Sequence, residues 1–276
     1  MKKQILLYIS ILSAVLLSSC EEVIDVDLNT AAPRLVVDAA LKWEKGTSGS
    51  DQTIKLTTTT GYFDQIIPTV SGAEVKVTAA NGSIFNFIEI EPNSGEYICN
   101  NFVPQINENY TLSIQLNGVT YTANETLVAV PEIDKIEQDD DGGFGGGNIE
   151  LKFFFTDNGL TNDFYLFRNK LSRYDVPQYS VSRDEFYQGN QAFDIYSNED
   201  IKAGDTVDFT LHGISQGYFN YMQILLSIAG NASGGGPFQS PPATVRGNIV
   251  NTSDVENYVL GFFSLSETTS VQYTVQ

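Results

Sequence analysis

The residue with the most definite chemistry in this chain is Cys20, because a cysteine thiol near an exported amino terminus can carry a covalent lipid. Residues 17–20 read Leu-Ser-Ser-Cys, and they follow an apolar segment that begins after Lys2 and Lys3. A positive start, an apolar segment and small residues before a cleavage site are typical of a secretory signal peptide. The cysteine makes this site resemble a bacterial lipobox, whose thiol is acylated before the leader is removed. We predict a signal peptide over residues 1–19 and a lipid anchor, with palmitate among its acyl chains, on Cys20. An ordinary signal peptide with a coincidental cysteine is the alternative.

Two acidic residues, Glu21 and Glu22, follow Cys20 directly. In lipoproteins of Bacteroidota, acidic residues beside the acylated cysteine resemble the signal that sends the protein to the cell surface. A solvated charge cluster is the alternative interpretation. We expect Glu21 and Glu22 to be a surface-export signal within an acidic tether, residues 20–32.

Two sets of residues further along the chain could do catalytic chemistry. Asp157 and Asp163 flank an aromatic cluster, and a glycosidase needs two carboxylates about 5–5.5 or 6.5–9.5 Å apart. With 34 acidic residues in the chain, such a pair is expected by chance, and Asp157 suits a turn. His212 is the only histidine; it has no Gly-x-Ser-x-Gly motif beside it and too few partners for a zinc site. We therefore expect no catalytic residue, no metal ligand and no cofactor besides the lipid, with a surface glycosidase or hydrolase as the less favoured hypothesis.

Two other segments carry weaker patterns. Residues 139–147 are rich in Asp and Gly, but the carboxylates are contiguous, which departs from the alternating EF-hand pattern. A hairpin loop is the favoured interpretation, and weak Ca²⁺ binding stays open. Thr206 lies in an Asp-Thr-Val sequence that matches the short O-glycosylation pattern of exported Bacteroidota proteins, so it is a candidate glycosylation site.

The charge of the chain restricts its possible partners, and its cysteine content restricts disulfide bonding. Loss of the leader takes the formal charge from −19 to about −21. The basic residues form no cluster, which excludes nucleic acid as a partner. Once Cys20 is acylated, only Cys99 remains, so no internal disulfide can form. Its strand-like context predicts a small buried apolar residue.

The rest of the chain reads as short strands separated by turns. Asn81-Gly82 and Asn117-Gly118 predict two hairpins with type I′ turns. The fold class we predict is all-β, with two antiparallel β-sandwich units of immunoglobulin-like or transthyretin-like type. The first covers residues 33–130. The second covers residues 131–276; it is rich in aromatic residues, contains one amphipathic helix near 214–229, and closes with strands at 258–266 and 271–275.

Several segments together resemble a family of Bacteroidota lipoproteins, the domain of unknown function 4249. They include Cys20 to Leu28, Pro33 to Asp38, Val130 to Ile136, and Gly261-Phe262-Phe263-Ser264. The order and spacing of these segments span nearly the whole mature chain. The resemblance implies a surface or outer-membrane lipoprotein often associated with TonB-dependent receptors, and it implies no known catalytic residue.

These observations predict a non-enzymatic lipoprotein, anchored in the outer membrane and facing the cell exterior. We expect it to serve as an accessory or binding subunit of a TonB-dependent receptor or a similar complex. Its expected partners are the lipid bilayer, through the acyl chains, and an outer-membrane β-barrel protein. A structural or assembly component of an outer-membrane complex is the alternative.

Overall fold

The structure, a computed structural model, describes residues 32–61, 64–143, 146–231 and 244–276. The predicted leader, Cys20, Glu21 and Glu22 lie outside this part of the chain. Within it there is one α-helix, α1 (Gln216–Asn231), and one 3₁₀ turn (Asp184–Phe186). The strands are β1 (Leu35–Glu44), β2 (Gln52–Thr58), β3 (Glu74–Ala79), β4 (Ile84–Glu89), β5 (Glu96–Cys99), β6 (Asn109–Leu116), β7 (Val119–Thr126), β8 (Ile133–Gly142), β9 (Asn148–Thr156), β10 (Phe164–Leu171), β11 (Gln178–Arg183), β12 (Gln191–Ser197), β13 (Thr206–Ile214), β14 (Val250–Asn251) and β15 (Leu260–Thr274).

The first sandwich forms because its strands alternate apolar and polar residues, so that one side of each strand faces a shared core. Strands β1, β2 and β5 provide one layer, and β3, β4, β6, β7 and β14 provide the other. Strand β4 joins the two layers, since its residues 84–87 pair with β3 and its residues 88–89 pair with β5. Cys99 is buried in this core as a free thiol, which agrees with the sequence prediction.

The two predicted hairpins differ in their turns. Asn117 and Gly118 both have positive φ, at 52° and 80°, as a type I′ turn requires. The prediction of a second type I′ turn was wrong, because of the two central residues only Gly82 has positive φ, at 90°. There the N–H of Gly82 donates to Ala79 O, and the N–H of Ala79 donates to Ser83 O. This pattern belongs to the longer hairpin loop that ends in a glycine bulge.

The second sandwich packs aromatic side chains between two layers. Strands β8, β9 and β12 form a three-stranded sheet, and it faces β10, β13 and the end of β15. Phe153 of β9 stacks on Phe209 of β13, with ring centroids 4.1 Å apart. Strands β8 and β9 pair as the predicted hairpin. The loop was predicted to begin at residue 139, but Asp139, Asp140 and Asp141 still belong to β8.

A single long strand, β15, links the two sandwiches. The sequence predicted two terminal strands here, and that prediction was wrong: β15 runs continuously through 15 residues. Its first part pairs in parallel with β1, and its second part pairs antiparallel with β13. At its centre Glu267 accepts a hydrogen bond from the Val130 N–H at 2.9 Å. The result is one continuous sheet, ordered β11-β10-β13-β15-β1-β2-β5, that contributes to both cores.

The predicted domain boundary near residue 130 stays a prediction. Residues 33–276 group as one unit by their contacts. Each sandwich has a hydrophobic core, and β15 contributes to both, since Phe263 and Leu265 belong to the first core and Val275 belongs to the second.

Helix α1 is confirmed, and it begins two residues later than predicted. Ile214 still belongs to β13, and Ser215 caps the helix by accepting a hydrogen bond from the Tyr218 N–H at 3.1 Å. Phe219 and Met222 pack on Leu166 of β10. The helix therefore covers the outer face of the continuous sheet. No helix in the described ranges combines the length and apolarity that crossing a membrane requires.

We predict that Phe263→Ala weakens both sandwiches together. Phe263 is fully buried on β15, and truncation of such a residue lowers the free energy of unfolding by about 3–5 kcal/mol. Because β15 contributes to both cores, urea unfolding followed by Trp43 fluorescence and by far-UV circular dichroism should give one coincident transition that shifts as a whole.

The matched control is Phe193→Ala, since the Phe193 side chain is 49% exposed and its truncation should cost less than about 1 kcal/mol. Two separate transitions, of which only the fluorescence transition shifts in Phe263→Ala, would contradict a shared structural unit.

Candidate functional site

One concave feature is a groove between α1 and the outer face of the continuous sheet. The floor is formed by alternate residues of β1, β15, β13 and β10, which point away from the two cores. Its volume is about 360 Å³, within the range of small-molecule sites, which are usually about 300–1,000 Å³. We call it the α1 groove, and its lining residues are Val36, Val37, Asp38, Ala40, Lys42, Leu166, Tyr179, His212, Tyr218, Tyr221, Met222, Leu225, Gly261, Phe262, Ser264 and Ser266.

His212 is the most unusual side chain of the groove. It lies on β13, opposite Thr268 of β15 and Leu166 of β10. The side chain is 2% exposed, and its Nε2 atom has no hydrogen-bond partner among the described residues. Burial, reinforced by the nearby charges of Lys42 and Arg168, lowers the pKa of His212 to about 3. The imidazole is therefore neutral at pH 7, and its unpaired polar atom carries a desolvation cost of about 1–3 kcal/mol.

Two basic side chains lie close to His212. Lys42 is exposed on β1 and Arg168 is half-buried on β10. Partial desolvation of the ammonium group within the groove lowers the pKa of Lys42, the nearby Asp38 carboxylate opposes this shift, and Arg168 adds to it. Each of the eight ion pairs found among the described residues involves other basic groups. The Glu44 carboxylate lies on the same face of the sheet, where it accepts hydrogen bonds from the Thr268 and Ser270 hydroxyls at 2.7 and 3.0 Å.

The wall formed by α1 is aromatic. The rings of Tyr218 and Tyr221 each lie 5.0 Å from the ring of Phe262 on β15. Burial raises the pKa of Tyr218 to about 12 and also raises the pKa of Tyr221. Both hydroxyl groups are therefore protonated at neutral pH and able to donate hydrogen bonds.

Gly261 allows the floor of the groove to close at the start of β15. Its φ is +95°, a conformation that favours glycine, and an added Cβ would lie 1.9 Å from the carbonyl oxygen of Val37. Any larger residue would push β15 away from β1 at this end of the groove.

Asp157 and Asp163, the carboxylates that the sequence suggested, lie outside the α1 groove, in the loop between β9 and β10. Asp157, Asp163 and Asp184 each place one carboxylate oxygen within 4.8 Å of the others. Three such oxygens are the kind of ligands that Ca²⁺ prefers. Burial, with the neighbouring charges of Asp157 and Asp184, raises the pKa of Asp163.

Two of the three carboxylates in this acidic cluster are held by hydrogen bonds from neighbouring residues. Asp157 accepts from the Tyr165 hydroxyl at 2.5 Å and from the N–H groups of Gly159 and Gly189 at 3.1 and 2.7 Å. Asp184 accepts from the Asp163 N–H at 2.7 Å. Asp157 is thus the turn residue that the sequence predicted, and the cluster ties together the loops that follow β9 and precede β12.

Thr206, the candidate glycosylation site, is the first residue of β13 and is half-buried. Its N–H donates to the Ser172 hydroxyl at 3.3 Å. The preceding Asp205 is held by Arg173, with 2.5 Å between the guanidinium and the carboxylate. Glycosylation of Thr206 stays a prediction.

Sequence reasoning recognised His212 only as a lone histidine and did not identify Lys42 or Arg168 as its neighbours. The groove depends on the pairing of β1 with β15, whose partners are more than 200 residues apart in the sequence. The alternation of Asp38, Ala40 and Lys42 in a predicted strand was the available signal, since it marked polar residues on the outer face.

The fold and the groove define an all-β protein of two joined antiparallel sandwiches with a helix-covered ligand-sized cavity. The chain belongs to the family described as "Domain of unknown function (DUF4249)", which matches residues 21–272. No curated protein matches the sequence.

Two solved structures are among those that the chain resembles. A segment of two fibronectin type III domains from chicken tenascin is 13% identical, with 66% of this chain and 90% of that chain covered and a TM-score of 0.22. A DUF4785 family protein from Legionella pneumophila is 7% identical, with 65% and 52% covered and a TM-score of 0.29.

We predict that His212→Leu changes the pH dependence of stability. The folded pKa of His212, about 3, lies below the unfolded value of about 6.5. The unfolded chain therefore binds the proton first, so this contribution to stability is complete above pH 6.5 and is lost as the pH falls towards 3. Between pH 7 and pH 5 the wild type should lose roughly 2 kcal/mol more than His212→Leu, measured by urea unfolding.

The matched control is Thr210→Val, which changes another outer-facing residue of β13 without removing a titratable group. It should keep the wild-type pH dependence. Equal pH dependence in the wild type and His212→Leu would show that His212 does not remain neutral in the folded protein.

Proposed function

We propose that this protein is a lipoprotein anchored in the outer membrane through Cys20. Its folded part acts outside the cell as a non-enzymatic accessory or binding subunit of a TonB-dependent receptor or similar complex. The observation that carries the binding role is the α1 groove, a preformed cavity with mainly apolar walls and a few converging polar groups, as is usual for small-molecule sites. The Asp157 cluster offers less to a ligand, because its carboxylates already accept hydrogen bonds from neighbouring loops.

The anchor is supported by sequence order. The lipobox of residues 17–20 directly precedes Glu21 and Glu22, and β1 of the folded unit begins at Leu35. An acylated Cys20 would therefore hold the groove near the membrane. Two acyl signals give stable anchoring where a single chain gives only reversible binding.

Contact with a protein partner is supported by an exposed apolar surface on β4 and the loop that follows it. Ile84, Ile88 and Ile90 are 57%, 65% and 62% exposed, and Ile88 is paired with Ile98 of β5. Exposed apolar residues that lie near one another favour interaction sites on folded proteins. An assembly role in an outer-membrane complex would use the same surface.

For the anchor, we predict that Cys20→Ser abolishes acylation and leaves the leader uncleaved, because the thiol is acylated before the leader is removed. Intact mass spectrometry detects both the missing acyl chains and the retained leader, and detergent phase partitioning follows the anchor. The matched control is Cys99→Ser, which removes the other thiol and should leave acylation and partitioning unchanged. Removal of the leader from Cys20→Ser would favour an ordinary signal sequence over a lipobox.

For the partner, we predict that the native lipoprotein, purified in mild detergent from its own membranes, brings down an outer-membrane β-barrel protein. Ile88→Glu should reduce recovery of that protein at least about fivefold, because it places a charge in the apolar surface. The matched control is Glu74→Gln, at an exposed position of β3. A lipoprotein that is always recovered alone would contradict the accessory role.

A further inference from the structure

We propose that the α1 groove binds a short peptide with free termini. The ammonium group of the peptide lies at Asp38 among the aromatic side chains of the groove, and its terminal carboxylate lies at Lys42 and Ser266. This inference deepens the proposed binding role, since it rests on the groove being the binding site and names the class of ligand. It does not depend on the lipid anchor or on a protein partner.

The pairing of β1 with β15 sets the order of the polar groups along the groove. Three cross-strand pairs share its floor, and they are Asp38 with Phe262, Ala40 with Ser264, and Lys42 with Ser266. All six residues line the groove, whereas the residues between them on β1 are buried in the first core. Residues on one face of a strand follow one another at about 6.6 Å, so about 13 Å separates the first pair from the third. The groove therefore has an acidic end and a basic end, with small side chains between them.

The acidic end of the groove has the features of an ammonium site. Asp38 supplies a carboxylate, and its cross-strand partner is Phe262. The Phe262 ring lies against Tyr218 and Tyr221 of α1, with 5.0 Å between ring centroids in each case. Cations are attracted to the faces of aromatic rings, and a primary ammonium group brings three N–H donors for the carboxylate and the hydroxyl groups around it. An anionic group is repelled here by Asp38, so this end selects a cation.

The basic end favours a carboxylate. Lys42 takes part in none of the ion pairs formed by the described residues, and Ser266 lies across the ladder from it. The next carboxylate on this face, Glu44, accepts hydrogen bonds from the hydroxyls of Thr268 and Ser270 at 2.7 and 3.0 Å and lies outside the groove lining. A ligand carboxylate gains charge-assisted hydrogen bonds from the lysine. With one carboxylate and one ammonium group in its lining, the groove matches a ligand that carries both charges and no net charge.

His212 is an independent indication of a polar ligand. It lines the groove near the basic end, since it pairs with Thr268, two residues after Ser266 on β15. Its side chain is 2% exposed, and its Nε2 atom has no hydrogen-bond partner in the described part of the chain. Buried polar atoms normally have partners. A peptide carries both N–H and C=O groups, so it provides a partner for Nε2 in either tautomer of the imidazole.

The dimensions of the groove determine the length of the peptide. An extended chain covers about 3.3–3.6 Å per residue, so three residues span about 10 Å. Hydrogen bonds at the two termini, each about 2.8 Å long, complete the distance between the acidic and the basic pair. Leu166, Met222 and Leu225 add apolar surface beside the aromatic rings, which suits an apolar side chain in the ligand. A volume of about 360 Å³ is near the lower limit for small-molecule sites, so the groove favours a tripeptide over a longer chain.

The test is titration calorimetry on the mature chain, residues 20–276, carrying Cys20→Ser and produced without its leader, so that neither acyl chains nor detergent compete. The probes are the tripeptide Ala-Leu-Ala, its N-acetyl derivative, its C-terminal amide and free leucine. We expect Ala-Leu-Ala to bind with one site per chain. We expect the other three probes to bind at least about tenfold more weakly, which corresponds to about 1.4 kcal/mol. The two derivatives each lack one charge, and leucine is too short to reach both ends.

Two variants separate the ends of the groove. Lys42→Met should weaken Ala-Leu-Ala about tenfold and bind the amide as well as the free peptide, while it still discriminates against the N-acetyl derivative. Asp38→Asn should weaken Ala-Leu-Ala to a similar degree and lose discrimination against the N-acetyl derivative instead. The matched controls are Lys55→Met on β2 and Asp51→Asn just before it, both at exposed positions, and they should bind all probes as the wild type does.

Three outcomes would overturn the proposal. Equal affinity for the free and the blocked peptides would contradict recognition of the termini. Equal losses for every probe in Lys42→Met and Asp38→Asn, with unchanged circular dichroism, would contradict the placement of the two charges. Leucine that binds as tightly as Ala-Leu-Ala would replace the peptide with a free amino acid. If no probe binds, the ligand proposal fails, whereas the anchor and the partner are still judged by acylation and co-purification.

Discussion

The structure depends on the position of β15 between β1 and β13. A parallel pair such as β1 and β15 needs a long connection, and here nearly the whole folded chain lies between the two strands. As a result, one sheet runs without interruption from one sandwich to the other. Glu267 strengthens the joint at its centre, where its N–H donates to Val128 O and its carboxylate accepts from the Val130 N–H.

The same strand creates the candidate site. Residues of β15 alternate between two environments: Phe263 and Leu265 face the first core, while Phe262, Ser264 and Ser266 line the α1 groove. Most sandwich proteins carry binding residues on loops at the ends of their strands. In this protein a helix laid across an extended sheet makes a groove from strand residues instead, which places its polar groups on rigid backbone.

Local features were predictable from the sequence because they depend on neighbouring residues. The short strands, the turn at Asn117-Gly118, the helix near 214–229, buried Cys99 and the turn role of Asp157 follow from periodicity, turn chemistry and capping. The sequence did not predict a continuous β15, because the polar residues from Ser266 to Ser270 look like a break between two strands. In the structure these residues stay in the strand, and the hydroxyl groups of Thr268 and Ser270 donate hydrogen bonds to Glu44. The groove was missed for a related reason: nothing local to Lys42 or His212 indicates that distant strands bring them together.

The charges that act within the α1 groove differ from the average charge of this strongly acidic chain, because its lining carries one acidic and one basic side chain, Asp38 and Lys42. Salt screens charge over about 8–10 Å under physiological conditions, so the many surface carboxylates contribute little to the field within the groove. Burial is the first cause of the lowered pKa values of Lys42 and His212, and the nearby charges modify it. The unpaired Nε2 atom of His212 carries a desolvation cost that an apolar residue at this position would avoid. The stability of the fold alone therefore does not account for a buried imidazole beside the α1 groove.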